Sequence, residues 1–370
     1  MARLGGREWT RRELVARFGD PAQVAGMRPS VLRGGNAEGV EALEVWTGSG
    51  LAFTVLPGRG LDVANATWKG QSLCWLSPTG IVSPAHAEEP DAGWLRSFGG
   101  GLLATCGLSN VGPPVAERGK AYGLHGRIGT QGAENLAVTQ EWAGDEFLLS
   151  VRGTLREAAV FGENLRLTRT LSTRLGATGF SLDDRVENLG FEAQPLALLY
   201  HFNFGSPLLG PGARVVAPIV ATEARDEVAR ADRGVETCRV FPPPTHGFRE
   251  KVYFHTLAPG ADGRTFVALV NDTGASPWGV VLRWSQEQLP CFTQWTMAGE
   301  GTYVLGLEPG TVVPLGRSAL REVGRLPLLE PHSTRDFHLE VEVLDTPQAL
   351  TRLEDEARAR GTPGPSLKPA

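Results

Sequence analysis

The chain has 370 residues, 41% hydrophobic and 21% charged, with a formal net charge of -5. This is the composition of a globular protein with ample material for a core, and the acidic balance argues against nucleic acid as a partner. No apolar run approaches the ~20 residues that span a bilayer, and the first residues lack the apolar stretch of a signal peptide, so a cytoplasmic protein without membrane association is expected.

In chain order, helical periodicity is credible first near residues 10–18. A strand pattern follows at 51–56, and residues 147–153, 165–171 and 180–186 read as three consecutive antiparallel strands. The apolar run 195–200 is a buried strand, and further strands are expected at 265–271, 279–284, 302–308 and 337–343, the last alternating most plainly. A second helix is expected over 346–360. The 47 glycines and 26 prolines punctuate these segments into short strands and turns. The pattern predicts an all-β sandwich or barrel with short helices only at the termini. No linker divides it, so residues 1–345 are expected to be one domain and 346–370 a C-terminal helix and mobile tail. Cys74, Cys106, Cys238 and Cys291 have no C-x-x-C spacing, which predicts buried, reduced thiols without a zinc knuckle or disulfide framework, and with no phosphate loop or metal cluster in the sequence no metal and no cofactor are expected.

Three segments set a titratable group among apolar or glycine neighbours, and His and Glu are the commonest groups for proton transfer. His125 stands in Gly123-Leu124-His125-Gly126-Arg127, where glycines let backbone approach a bound molecule. A turn-capping histidine would look the same, but Arg127 beside it tilts the reading toward a site. His201 ends the buried strand, and alternation puts it on one face with Asn203; a satisfied core histidine is the alternative. Glu308 closes an apolar strand before Pro309-Gly310, where desolvation would raise its pKa unless it turns to solvent. Arg59 and Asp62 in Gly58-Arg59-Gly60-Leu61-Asp62 form either a turn or a hydroxyl-binding pair. Residues 98–107 suggest a close-packed bend beside a cavity. Trp295 can stack on a sugar ring or belong to the core.

Taken together, Leu124-His125-Gly126, Tyr200-His201-Phe202-Asn203 and Leu307-Glu308-Pro309 resemble the aldose 1-epimerase (galactose mutarotase) superfamily over most of the chain. The likeness extends to an uncharacterised bacterial branch of mutarotase-like proteins through Arg59-Gly60-Leu61-Asp62 and residues 101–107. Two departures stand out: Arg127 replaces a second glycine, and the Pro-Asp that usually follows the terminal glutamate is missing. The resemblance implies a large antiparallel β-sandwich with a sugar cleft across one sheet. It further implies an isomerase that interconverts sugar anomers, with Glu308 as base, His201 as acid at the ring oxygen and His125 assisting. Arg59, Asp62, Arg127, Asn203 and Trp295 would hold a small-molecule sugar. An isomerase for acidic or phosphorylated sugars, drawing on Arg59 and Arg127, and a non-catalytic sugar-binding module are the alternatives. Nothing in the sequence sets the oligomeric state.

Overall fold

Alternation along the longest strands sets the architecture. In Asn164–Arg174, Leu165, Leu167 and Leu171 are buried, and Gly179–Asn188 repeats the pattern with Phe180, Leu182 and Val186. A strand with one apolar face buries it against a second layer. The computed structural model, which describes residues 2–88, 91–117, 119–274 and 276–361, supplies that layer. An eight-stranded sheet runs in the order Glu134–Ala143, Glu146–Ala158, Asn164–Arg174, Gly179–Asn188, Thr334–Leu344, Trp278–Ser285, Arg264–Asn271 and Arg214–Val216. An eleven-stranded sheet runs Ile219–Ala224, Lys251–Leu257, Cys291–Gly299, Thr302–Gly310, Ala197–Phe204, Leu103–Leu108, Asp62–Trp68, Leu51–Leu56, Glu41–Trp46 and Gly26–Val31, with Gln71–Ser72 paired to the strand Asp62–Trp68. All these pairings are antiparallel, and the inner faces of both sheets share one apolar core. The expected antiparallel β-sandwich is the fold, and the three consecutive strands expected between 147 and 186 are present.

Ala197–Phe204 is central and buried on both faces. Leu198, Tyr200, Phe202 and Phe204 enter the core between the sheets, whereas Ala197 and Leu199 meet Trp94, Phe98 and Cys106 on the outer face. The outer face of the large sheet is therefore the floor of a cleft, and alternation places His201 on it.

Short helices are not confined to the chain ends as the sequence suggests. Glu227–Arg230, Gly234–Thr237 and Arg317–Glu322 interrupt the β structure, each too short for its periodicity to register. The terminal helices are Arg11–Val15, closed by a Thr10/Glu13 capping box, and Pro347–Arg360. The latter packs Leu350, Leu353 and Ala357 on Phe266, Ala268 and Val281, the outer side of the smaller sheet. The expected tail lies, from residue 362 onward, outside the described residues. The four cysteines are free, three of them buried and Cys291 half-buried. No described helix is long and apolar enough to cross a membrane.

Candidate functional site

Three neighbouring strands and one loop assemble the site. Leu199 pairs with Gly310 and Phe202 with Leu307, and this register leaves His201 opposite Glu308. Their side chains meet on the cleft face, with His201 Nε2 3.3 Å from Glu308 Oε1. Both are nearly sealed, at 5% and 2% exposure. Gly306, one turn of the pleat from Glu308, makes room for them: a Cβ there would overlap Glu308 Oε1 and crowd Trp295 and His201. His125 arrives from the loop after the short strand Lys120–Tyr122, its ring 5.9 Å from that of His201 and edge-on to it. Trp295 stands edge-on to His201 at 5.5 Å.

The His125 loop is held by backbone. His125 takes a positive φ of 59°, unusual for a residue with a side chain. Its N–H donates to Gly112 O, and its carbonyl accepts from Gly107 N–H. Asn110 Nδ2 donates to the carbonyls of Pro113 and Gly123. Gly126, at a φ of 70°, is required because a Cβ would overlap the carbonyls of Gly107 and Asn110. This glycine thus serves contact between loop and sheet, not the approach of a ligand that its sequence context suggests.

Burial dominates the electrostatics. It raises the Glu308 pKa to about 8, with the Glu250 carboxylate adding to the rise and Arg225 opposing it. Burial lowers His201 to about 3, with His125 contributing, and lowers His125 to about 4 against the attraction of Glu250. At neutral pH the proton of the pair therefore sits on Glu308 and both imidazoles are neutral. The 3.3 Å contact is an ion-pair distance but is misaligned for a hydrogen bond, so Glu308 Oε1 has no partner among the described residues. The same holds for Nδ1 of His125 and of His201 and for Oγ1 of Thr293, which pairs with Glu308 across the strands. Buried polar atoms are normally bonded, so several orphans in one place mark a surface shaped for a polar ligand.

The structure brings His125, His201, Glu308 and Trp295 together, but the other expected residues are engaged elsewhere. Arg59 donates to the carbonyls of Val82 and Ser97. Asp62 accepts from Thr105 N–H and Oγ1 and pairs with buried Arg169 at 3.0 Å, a network that continues to Asp184 and Tyr200. Arg127 donates to Ala158 O and Glu163, beside a cavity of about 470 Å³ that neither histidine nor Glu308 lines. Asn203 Nδ2 donates to Gly101 O and His201 O, bracing the strand that carries His201. Arg59, Asp62 and Arg127 share a committed hydrogen-bonding head group, which the sequence does not display, whereas Asn203 keeps a buried Oδ1 without a partner among the described residues.

Sequence reasoning missed Trp94 and Glu250 and took Phe98 only as the start of a bend beside a cavity. Trp94 and Phe98, stacked at 4.2 Å, wall the histidines: Trp94 is 4.8 Å from His125 and Phe98 5.4 Å from His201. Their spacing by four residues was a visible signal. Glu250 accepts from Trp295 Nε1 at 2.9 Å and from Arg225 at 2.8 Å, and precedes its strand in a segment without pattern. Among the described residues no three His, Cys, Asp or Glu side chains gather as a metal site.

A solved structure from Klebsiella pneumoniae subsp. pneumoniae MGH 78578, described provisionally as an aldose 1-epimerase, is similar with a TM-score of 0.85 at 26% identity, over 92% of this chain and 93% of that one. A galactose mutarotase-like protein from Clostridium acetobutylicum aligns at 16% identity with a TM-score of 0.59, over 88% and 100%. Galactose 1-epimerase from Lactobacillus acidophilus NCFM aligns at 11% and 0.53, over 87% and 99%. The latter two likenesses show the fold alone, and it is the galactose mutarotase-like one that the sequence resembles. No curated protein matches the sequence. Residues 37–343 match the family model described as a domain of unknown function (DUF4432), and the chain belongs to that family.

Proposed function

We propose that the protein is an isomerase that interconverts the anomers of a reducing sugar, with Glu308 and His201 exchanging protons across the ring. The observation that carries the reading is the buried pair at 3.3 Å, surrounded by polar atoms without partners. The Glu308 carboxylate takes the proton of the anomeric hydroxyl as His201 gives one to the ring oxygen. The bond from C1 to the ring oxygen breaks, leaving an open-chain aldehyde. Rotation about C1–C2 presents the other face, and the protons return on closure.

The ligand-free pocket, with a neutral His201 and a protonated Glu308, has the protonation of the enzyme holding the open-chain sugar. A cyclic sugar must move that proton to His201, and a hydroxyl donating to the Glu308 carboxylate favours this direction. His125, held neutral, assists at the ring oxygen or its neighbouring hydroxyl. Trp295, fixed by Glu250, offers an aromatic face to the apolar side of the ring.

Anomer exchange by saturation-transfer NMR over neutral, acidic and phosphorylated sugars tests the proposal. Exchange above the spontaneous rate for neutral sugars is expected. Preference for charged sugars would favour the alternative substrate class, and binding without exchange would leave a sugar-binding module.

A further inference from the structure

Beside the histidines, on the same face of the large sheet, lies a chamber of about 430 Å³. It shares a wall with the candidate site. Trp94 and Phe98 line it while also packing on His125 and His201. Ala104, another lining residue, is the cross-strand partner of His201, so the chamber begins about 4.8 Å, one strand spacing, from the reacting centre.

Its chemistry is two-sided. Leu32, Leu56 and Ile81 supply apolar wall, and Gly99 and Gly100 bring the bend expected from the sequence against it. Arg59 and Asp62 are present but committed to protein groups. Ser30 Oγ, Thr54 Oγ1 and Asn65 Nδ2, by contrast, form no hydrogen bond among the described residues, although all three residues line the space. Asn65 and Thr54, partners across their strands, stand on the second and third strands beyond that of His201, about 10 and 14 Å across the sheet at ~4.8 Å per strand and further along the strands than the row of His201. A single sugar ring at the His201–Glu308 pair ends short of them. A ring linked to it extends toward them.

Resting on the anomer-interconversion reading, we infer that this chamber is a subsite for a second glycosyl unit, so that the substrate is a reducing disaccharide or longer saccharide. The apolar wall and the Trp94/Phe98 pair take the C–H faces of that unit, and Ser30, Thr54 and Asn65 take its hydroxyls.

The test compares exchange of glucose and galactose with that of maltose, cellobiose and lactose in wild type and in Ala64→Trp, which fills the chamber from its lining without touching the histidines or Glu308. At least one disaccharide is expected to show kcat/KM about tenfold above its reducing-end monosaccharide, the scale of one or two neutral hydrogen bonds. Ala64→Trp should erase that advantage and leave monosaccharide exchange unchanged. Asn65→Leu, with circular dichroism for both variants, serves where the bulkier side chain disturbs folding, and should reduce the same advantage. Equal handling of mono- and disaccharides by wild type, or an advantage that survives in folded variants, overturns the inference while the acid–base reading stands. Absence of exchange with every sugar overturns that reading instead. The chamber is then judged by disaccharide binding in ligand-observed NMR: loss in Ala64→Trp supports it, and no binding or unaltered binding overturns it.

Discussion

Glu308 and His201 titrate as a pair, and their behaviour belongs to the pair. In the proposed reaction the productive state carries one proton in total, whichever residue holds it. The pair loses that proton above about pH 8 and gains a second only near pH 3. Activity is therefore expected to be flat from about pH 5 to 7 and to fall as pH rises through about 8, measured as kcat/KM for anomer exchange. An acid limb near the ordinary histidine value would contradict the burial argument. Gly306 gives a second expectation at this scale. In Gly306→Ala the new methyl must displace the Glu308 carboxylate, and misplacement of about 1 Å costs on the order of 10²-fold in rate. Its φ is not in the left-handed region, so circular dichroism should show an intact fold; a fully active variant would mean the carboxylate position is not critical.

Among the elements, the charged network under the cleft matters most. Arg169 is fully buried, pairs bidentately with Asp184 through Nε at 2.9 Å and Nη2 at 2.7 Å, and reaches Asp62 and Thr105 on the opposite sheet. Tyr200, next to His201, donates to the same Asp184. The network thus ties both sheets to the strand that presents His201. Removing one partner leaves buried charge uncompensated, so Arg169→Met is expected to lose about 3–5 kcal/mol in denaturant unfolding. A loss below about 1 kcal/mol would show that the carboxylates simply take up protons.

This network was partly legible. Alternation puts Arg169 in register with Leu165, Leu167 and Leu171, and Asp184 with Phe180, Leu182 and Val186, and the two residues pair directly across the strands. A charge in an apolar register is a visible sign of a buried partner. By the same period of two, His201 and Asn203 were correctly placed on one face. What stayed hidden depends on contacts distant in sequence: Arg127 finds Glu163, and Glu250 finds Trp295, through no local pattern. Glu308 was expected to end its strand, yet Thr302–Gly310 continues through Pro309, because that segment is enclosed between two neighbouring strands.

For the whole molecule, strand periodicity recorded which faces are buried, and that was enough to indicate a sandwich. It did not record the loops that turn the outer face of the larger sheet into a cleft, since residues 76–100 carry little periodicity. Those loops supply Trp94 and Phe98, and with them the dry surroundings that separate the pKa values of Glu308 and His201. Fold alone does not fix activity. The proposal is that one carboxyl and one imidazole open and close a sugar ring. The most direct test is anomer exchange by saturation-transfer NMR on wild type and Glu308→Gln, with sugar binding followed in the same samples. Exchange above the spontaneous rate is expected in wild type, with a fall of about 10²–10⁴-fold in a variant that folds and still binds; undiminished exchange by Glu308→Gln would remove Glu308 as the base.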